Sequence, residues 1–345
     1  MRVFYLFFFI SGSSILFFAC RPNNTSPVIT GNWVNRFDAA FSSRTEAVCF
    51  TIGDTAFIGT GFDGTNTLTD FWKLTMSASG TDFTWTQTTS LPAAAARSSA
   101  VAFASSTRGY VVTGKASDGA TRLKDTWEYD PAGSWTRKSD FGGTARFDAV
   151  AFAIHNQGYL CTGYDGGNTK DCWKYDPAAD AWTQLTGFTG FKRSQAVAFV
   201  HANKGYIVTG LNNSVFPNDF WMYDPAISKW TQLRSISNVS TDGYDDQYTS
   251  IVRSNAAAFV MNAGNNTEKA YLCTGQNNAL YKNVWEYNFE TDLWTLHNDF
   301  EGGARTAAIG FSLHGRGFLS SGNVSSQVFS DFWEFHPEET YNAND

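Results

Sequence analysis

Short apolar runs separated by turn residues recur along this chain at a constant phase, and the stretch after Arg146 shows the whole pattern. Ala149-Val150-Ala151-Phe152 is a continuous apolar run, as expected of a strand covered on both faces. His155-Asn156-Gln157-Gly158 reads as a turn, and Tyr159-Leu160-Cys161-Thr162-Gly163 as a second strand that ends in glycine. Asp165-Gly166-Gly167-Asn168 turns the chain again, and Cys172-Trp173-Lys174-Tyr175 alternates as a third strand. Asp176-Pro177 starts a hairpin turn, because proline presets the backbone angle required there. Trp182-Thr183-Gln184-Leu185 is then a fourth strand. The predicted unit is four antiparallel strands of about 50 residues.

The frame occurs six times. Each unit opens on an arginine: Arg44, Arg97, Arg146, Arg193, Arg253 and Arg305. In five units 17 residues separate it from the glycine ending the second strand, and the unit at Arg253 holds five more around Asn262–Glu268. A D/N-x-W motif supplies Trp72, Trp127, Trp173, Trp221, Trp285 and Trp333 to the third strands. The fourth strands carry Trp85, Trp135, Trp182, Trp230 and Trp294, and the unit of Trp333 lacks its own. Trp33 stands 11 residues before Arg44, as Trp135, Trp182 and Trp294 stand 11 before the next arginine. The N-terminus therefore supplies the last strand of the last unit, which closes a ring. A lone four-stranded sheet cannot bury both faces, whereas six packed radially can. The expected fold is all-β, a six-bladed β-propeller with the first strand of each unit innermost. Small residues there (Ala47, Ala100, Ala149, Ala196, Ala256, Ala308) suit a crowded axis, and the tryptophans are expected between blades.

Gly158-Tyr159…Thr162-Gly163 followed by Asp171-Cys172-Trp173-Lys174-Tyr175-Asp176-Pro177…Trp182-Thr183 resembles the kelch repeat, and more closely the propeller of galactose-oxidase-like proteins. Gly109-Tyr110…Thr113-Gly114 with Asp125-Thr126-Trp127-Glu128-Tyr129-Asp130-Pro131…Trp135-Thr136 repeats the pattern, and the resemblance covers residues 33–337. Where many kelch units have a double glycine, this chain reads Thr-Gly or Ser321-Gly322. The resemblance implies the propeller fold but no single function, since kelch propellers bind proteins, bind glycans or catalyse. The copper chemistry of galactose oxidase is not supported, for want of a Tyr/His ligand cluster.

Residues 1–19 read as an export signal, with Arg2 ahead of an apolar stretch. Leu16-Phe17-Phe18-Ala19-Cys20 resembles a bacterial lipoprotein signal, which implies lipidation of Cys20 and anchorage in the cell envelope, at the outer membrane. Residues 20–30 then form a tether and 31–345 the propeller. Export permits disulfides, yet Cys49, Cys161, Cys172 and Cys273 all fill apolar slots of the frame, so buried free thiols are expected. A Cys161–Cys172 bridge across one hairpin is the alternative. The net charge of −7 disfavours nucleic acid as a partner. No spacing suggests a metal site or cofactor.

A residue present in every unit reads as architecture, and one that varies at a fixed position reads as a specificity candidate. The six arginines are expected to hold carbonyls of adjacent blades, with an open cationic ring for acidic ligands as the alternative. Two residues after each arginine the chain varies: Glu46, Ser99, Asp148, Gln195, Asn255 and Ala307. These can face the axis, and Glu46 and Asp148 are the only carboxylates among them and the first catalytic suspects. A long insertion between Trp230 and Arg253 brings Tyr244, Asp245 and Tyr248, which suit contact with a partner or glycan. His155, His201 and His314 are expected as turn residues on the opposite face. The expected function is a monomeric, envelope-anchored binding module for a protein or glycan partner. The alternative is a carbohydrate-active enzyme of the sialic-acid epimerase (mutarotase) type working at the channel mouth. For the anchor, Cys20→Ser should abolish metabolic labelling with a fatty acid, and unchanged labelling would refute it.

Overall fold

The computed structural model describes residues 29–264 and 266–344, so the signal, Cys20 and most of the tether lie outside the described residues. Six four-stranded antiparallel sheets are arranged as a propeller. In blade 3 the strands run Val150–Ile154, Gln157–Cys161, Cys172–Asp176 and Ala181–Gln184, from the axis outward. The first strand of every blade is innermost, and successive first strands contact one another around a closed cycle. The closure is the expected one. Asn32–Asp38 pairs with Asp331–His336 as the outer strand of blade 6, with Trp33 opposite Phe335 and Asn35 opposite Trp333. Trp33 is fully buried, edge-on to Phe300 at 4.9 Å and Phe259 at 6.2 Å, and so joins blade 6 to blade 5. The chain just before it is held as well: Asn298 donates from its backbone to the Thr30 carbonyl at 2.9 Å and from Nδ2 to that of Gly31 at 2.9 Å.

The arginine and the D/N-x-W motif form one latch, repeated in each blade. None of the six arginines is more than 1% exposed. In blade 2, Arg97 donates to both Asp125 oxygens at 2.7 and 2.9 Å and to the Thr113 carbonyl at 2.9 Å. Asp125 also accepts the Trp127 indole N–H at 2.6 Å. Asp70, Asp171, Asp219 and Asp331 repeat this with Arg44, Arg146, Arg193 and Arg305. Four of those guanidiniums also lie over a phenylalanine ring, as Arg44 over Phe41 at 4.7 Å. The carbonyls belong to the arginine's own blade and not to its neighbour, because the fork reaches back to the second and third strands of the same sheet. Burial raises the Asp70, Asp125 and Asp171 carboxyls, but the arginine hydrogen bonds and charge outweigh it and hold them below their ordinary range.

Two other sequence expectations are corrected. Cys161 and Cys172 lie directly opposite on adjacent strands and form a disulfide, so among the described residues Cys49 and Cys273 are the free cysteines. The Tyr-Asp insertion is not a free surface loop: Asp245 is buried and accepts the Val239 and Ser240 N–H groups, both at 2.8 Å. Tyr248 is buried against Trp285, and its hydroxyl accepts the Trp294 N–H at 2.7 Å. Half-buried Tyr244 lies under the Arg234 guanidinium at 4.7 Å. The insertion packs with Ile236 and Ile251 into the core shared by blades 4 and 5.

Blade 5 breaks the latch, since Asn283 stands where the other blades have aspartate. Arg253 then has only neutral acceptors: the Ser250, Ile251, Thr274 and Asn283 carbonyls and the Asn283 amide oxygen. Burial without a counter-ion pushes its pKa down to about 10. Asn283→Asp should therefore raise stability at pH 7 by about 1.5–2 kcal/mol, the low end of the range for a charged hydrogen bond, read by urea denaturation. The new carboxyl is expected below its unfolded value, so the gain should vanish as pH falls through its folded pKa.

Candidate functional site

The six variable positions meet at one end of the axis, held there by a ring of backbone hydrogen bonds. Glu46, Ser99, Asp148, Gln195, Asn255 and Ala307 all adopt left-handed backbone, with φ between 50° and 56°. Each donates its N–H to the carbonyl of the same position in the preceding blade, at 2.9 to 3.3 Å. The bond from Glu46 to the Ala307 carbonyl completes the circle. This geometry is unusual for residues other than glycine, asparagine and aspartate, and costs about 1–2 kcal/mol per residue. The ring satisfies the buried backbone groups in return. Their side chains, with the alanines one residue further on, line a cavity of about 160 Å³.

Charge in the mouth is concentrated on blades 1 to 3, with the neutral Gln195 of blade 4 beside it. Ser99 donates its hydroxyl to Glu46 at 2.6 Å, and Lys115 pairs with the same Glu46 oxygen at 3.4 Å. Gln195 Nε2 donates to Asp148 at 3.1 Å. Burial raises Asp148 to about 6; the Glu46 charge adds to this, and Gln195, Ser99 and Lys115 oppose it. Beside Asp148 lies a second hollow of about 270 Å³, lined by Phe147, Tyr164, Asn168, Leu211 and Asn213 among others. Phe147 and Tyr164 pack at 5.3 Å as an aromatic shelf, and the Lys115 ammonium stands 5.0 Å from the Phe147 ring centre.

The structure therefore gathers Glu46, Asp148, Gln195 and Asn255 but keeps Arg44, Arg97, Arg146, Arg193, Arg253 and Arg305 out of the mouth. In place of a cationic ring, Lys115 approaches the mouth through its pair with Glu46. Tyr244, Asp245 and Tyr248 take no part in it. Lys115, Phe147 and Tyr164 were not among the residues expected from sequence. Lys115 and Tyr164 follow the Thr-Gly that ends the second strand, where the chain reads Phe62, Lys115, Tyr164, Leu211, Gln276 and Asn323. That variability was the available signal. The turn aspartates serve their own turns, as Asp63 accepts the Thr65 and Asn66 N–H groups at 2.7 and 2.6 Å. Among the described residues no group of three His, Cys, Asp or Glu side chains is placed to hold a metal ion.

No family model matches this chain, and no curated protein matches it. The fold has known counterparts. A solved structure titled "Structure of YjhT" superposes with a TM-score of 0.69 over 86% of this chain and 95% of that one. The sequences are 15% identical, so the likeness is one of fold.

Asp148 predicts a pH dependence of stability. Its folded pKa, about 6, lies above its unfolded value near 3.8, so the folded state holds the proton longer and stability falls as pH rises between them. Asp148→Asn keeps the acceptor for Gln195 and suits the left-handed backbone. It should melt at a higher temperature than the parent at pH 7 and lose that advantage below about pH 4, as checked by calorimetry across pH.

Proposed function

We propose that this chain is a kelch-type propeller, exported and anchored to the cell envelope through a lipid on Cys20, that acts as a binding module. The partner is an envelope glycan or protein, and the mouth favours the glycan. One observation carries this reading: an open polar mouth adjoins the Phe147–Tyr164 pair, while each of the six repeat arginines is committed within its own blade. Amide, hydroxyl and carboxylate groups on a rigid rim match the alternating donors and acceptors of sugar hydroxyls, and aromatic rings match the apolar faces of sugar rings. Lipid anchorage would hold the module at the membrane surface where such partners occur.

The raised pKa of Asp148 beside Glu46 favours a second reading, an enzyme of the sialic-acid epimerase (mutarotase) type. Against it, none of the six repeat arginines lines the mouth to take the sugar carboxylate, and Lys115 is already paired with Glu46. A glycan array combined with an envelope pull-down tests both. Glycan hits weakened about tenfold by Gln195→Ala, a loss of about 1.4 kcal/mol, support the module, with NMR anomer exchange of the bound sugar at its spontaneous rate. Exchange above that rate, abolished by Asp148→Asn, would instead establish the enzyme. A specific protein partner with no glycan hit would sink both carbohydrate readings.

A further inference from the structure

The mouth is too small to be a complete site. Its cavity of about 160 Å³ falls below the roughly 300–1,000 Å³ of ordinary ligand pockets. It does not end there, however. It shares Asp148 and Gln195 with the shelf hollow, and that hollow shares Asn168 with a third of about 660 Å³ over blade 3. Asn168 donates from Nδ2 to Asn213 at 3.3 Å, which ties the blade 3 turn to that of blade 4 beside the shelf. The third hollow is lined by Trp173, Thr144, Asp165, Lys170 and Lys192. Gly142 and Gly143 let the adjoining turn lie flat on the indole, since a Cβ on Gly142 would stand 2.6 Å from Trp173 Cζ3. The three hollows thus adjoin one after another, a stepped groove from the axis toward the rim.

Charge along this groove changes sign. At the inner end Lys115 neutralises Glu46, leaving Asp148. At the outer end Arg146 neutralises Asp171, leaving exposed Lys170 and Lys192, with the exposed Arg122 guanidinium beside Gly166, against Asp165, whose carboxylate accepts from Thr144 Oγ1 at 2.7 Å and from the Gly167 N–H at 3.3 Å. We infer that the groove binds an extended oligosaccharide with an uncharged unit in the mouth, a ring face on Phe147 and Tyr164, and an acidic group at Lys170 and Lys192. This rests on the glycan-binding reading above and adds length, direction and charge to it. An acidic unit in the mouth itself would meet Asp148, so the polarity also fixes which end enters.

The test is an array of neutral and acidic glycans of one to eight units, probed with the parent protein, with the double variant Lys170→Glu/Lys192→Glu, and with Gln195→Ala. The two lysines are exposed, so charge reversal leaves the fold intact. The expected hits are acidic glycans of several units. The lysine variant should lose about tenfold in affinity for them, and Gln195→Ala should weaken the same hits. Single sugars bound as tightly as oligomers, or acidic hits indifferent to the lysine reversal, would overturn the groove while leaving the mouth as a site. An array with no hits for any protein would overturn both.

Discussion

The propeller depends on closing a circle of backbone hydrogen bonds around its axis. The bonds between Glu46, Ser99, Asp148, Gln195, Asn255 and Ala307 form one circle. A second forms where the glycine ending each second strand donates to the carbonyl of the next blade's arginine, at 2.8 or 2.9 Å. Each such bond contributes only about 0.5–1.5 kcal/mol net, but a circle has no end that can fray. It also dictates local conformation. Thr60, Thr113, Thr162, Thr209, Thr274 and Ser321 are all left-handed, at φ 58° to 66°, as is the glycine after each. A Cβ on Gly61 would lie 2.6 Å from the Thr45 carbonyl, so glycine is required there by contact as well as by φ.

The two circles divide labour with the latches. Arginine carbonyls serve the circle between blades while arginine guanidiniums serve the blade itself, so one residue fixes both. This accounts for the persistence of arginine through six units and for its absence from the mouth. The side chain that would have made an obvious ligand site is buried by its structural task. Variation falls instead at mouth positions whose backbone is constrained but whose side chain is not.

Much of this was legible because repetition makes a sequence its own control. The 11-residue offset of Trp33 gave the closure, and variation two residues after each arginine pointed to Glu46, Asp148, Gln195 and Asn255. Lys115 and Tyr164 were overlooked because a residue after Thr-Gly reads as turn, although its variability carried the same signal. The disulfide required strand register, which composition does not contain: Cys161 and Cys172 each fill an apolar slot, and only pairing shows the slots to be opposite. Tyr244, Asp245 and Tyr248 misled for a different reason. Their polar groups suggested solvent, but the oxygens of Asp245 and Tyr248 are taken by the N–H groups of Val239, Ser240 and Trp294.

The N-terminal strand has a mechanical consequence. It is both the segment that completes blade 6 and the one through which any pull from upstream must enter the domain. Asn298 grips the chain at Thr30 and Gly31, immediately before the ladder from Asn32 to Asp38. Tension directed along that strand loads its cross-strand bonds together, in shear, instead of peeling them one at a time. A ring closed this way would resist being drawn open by a pull on the residues that precede it.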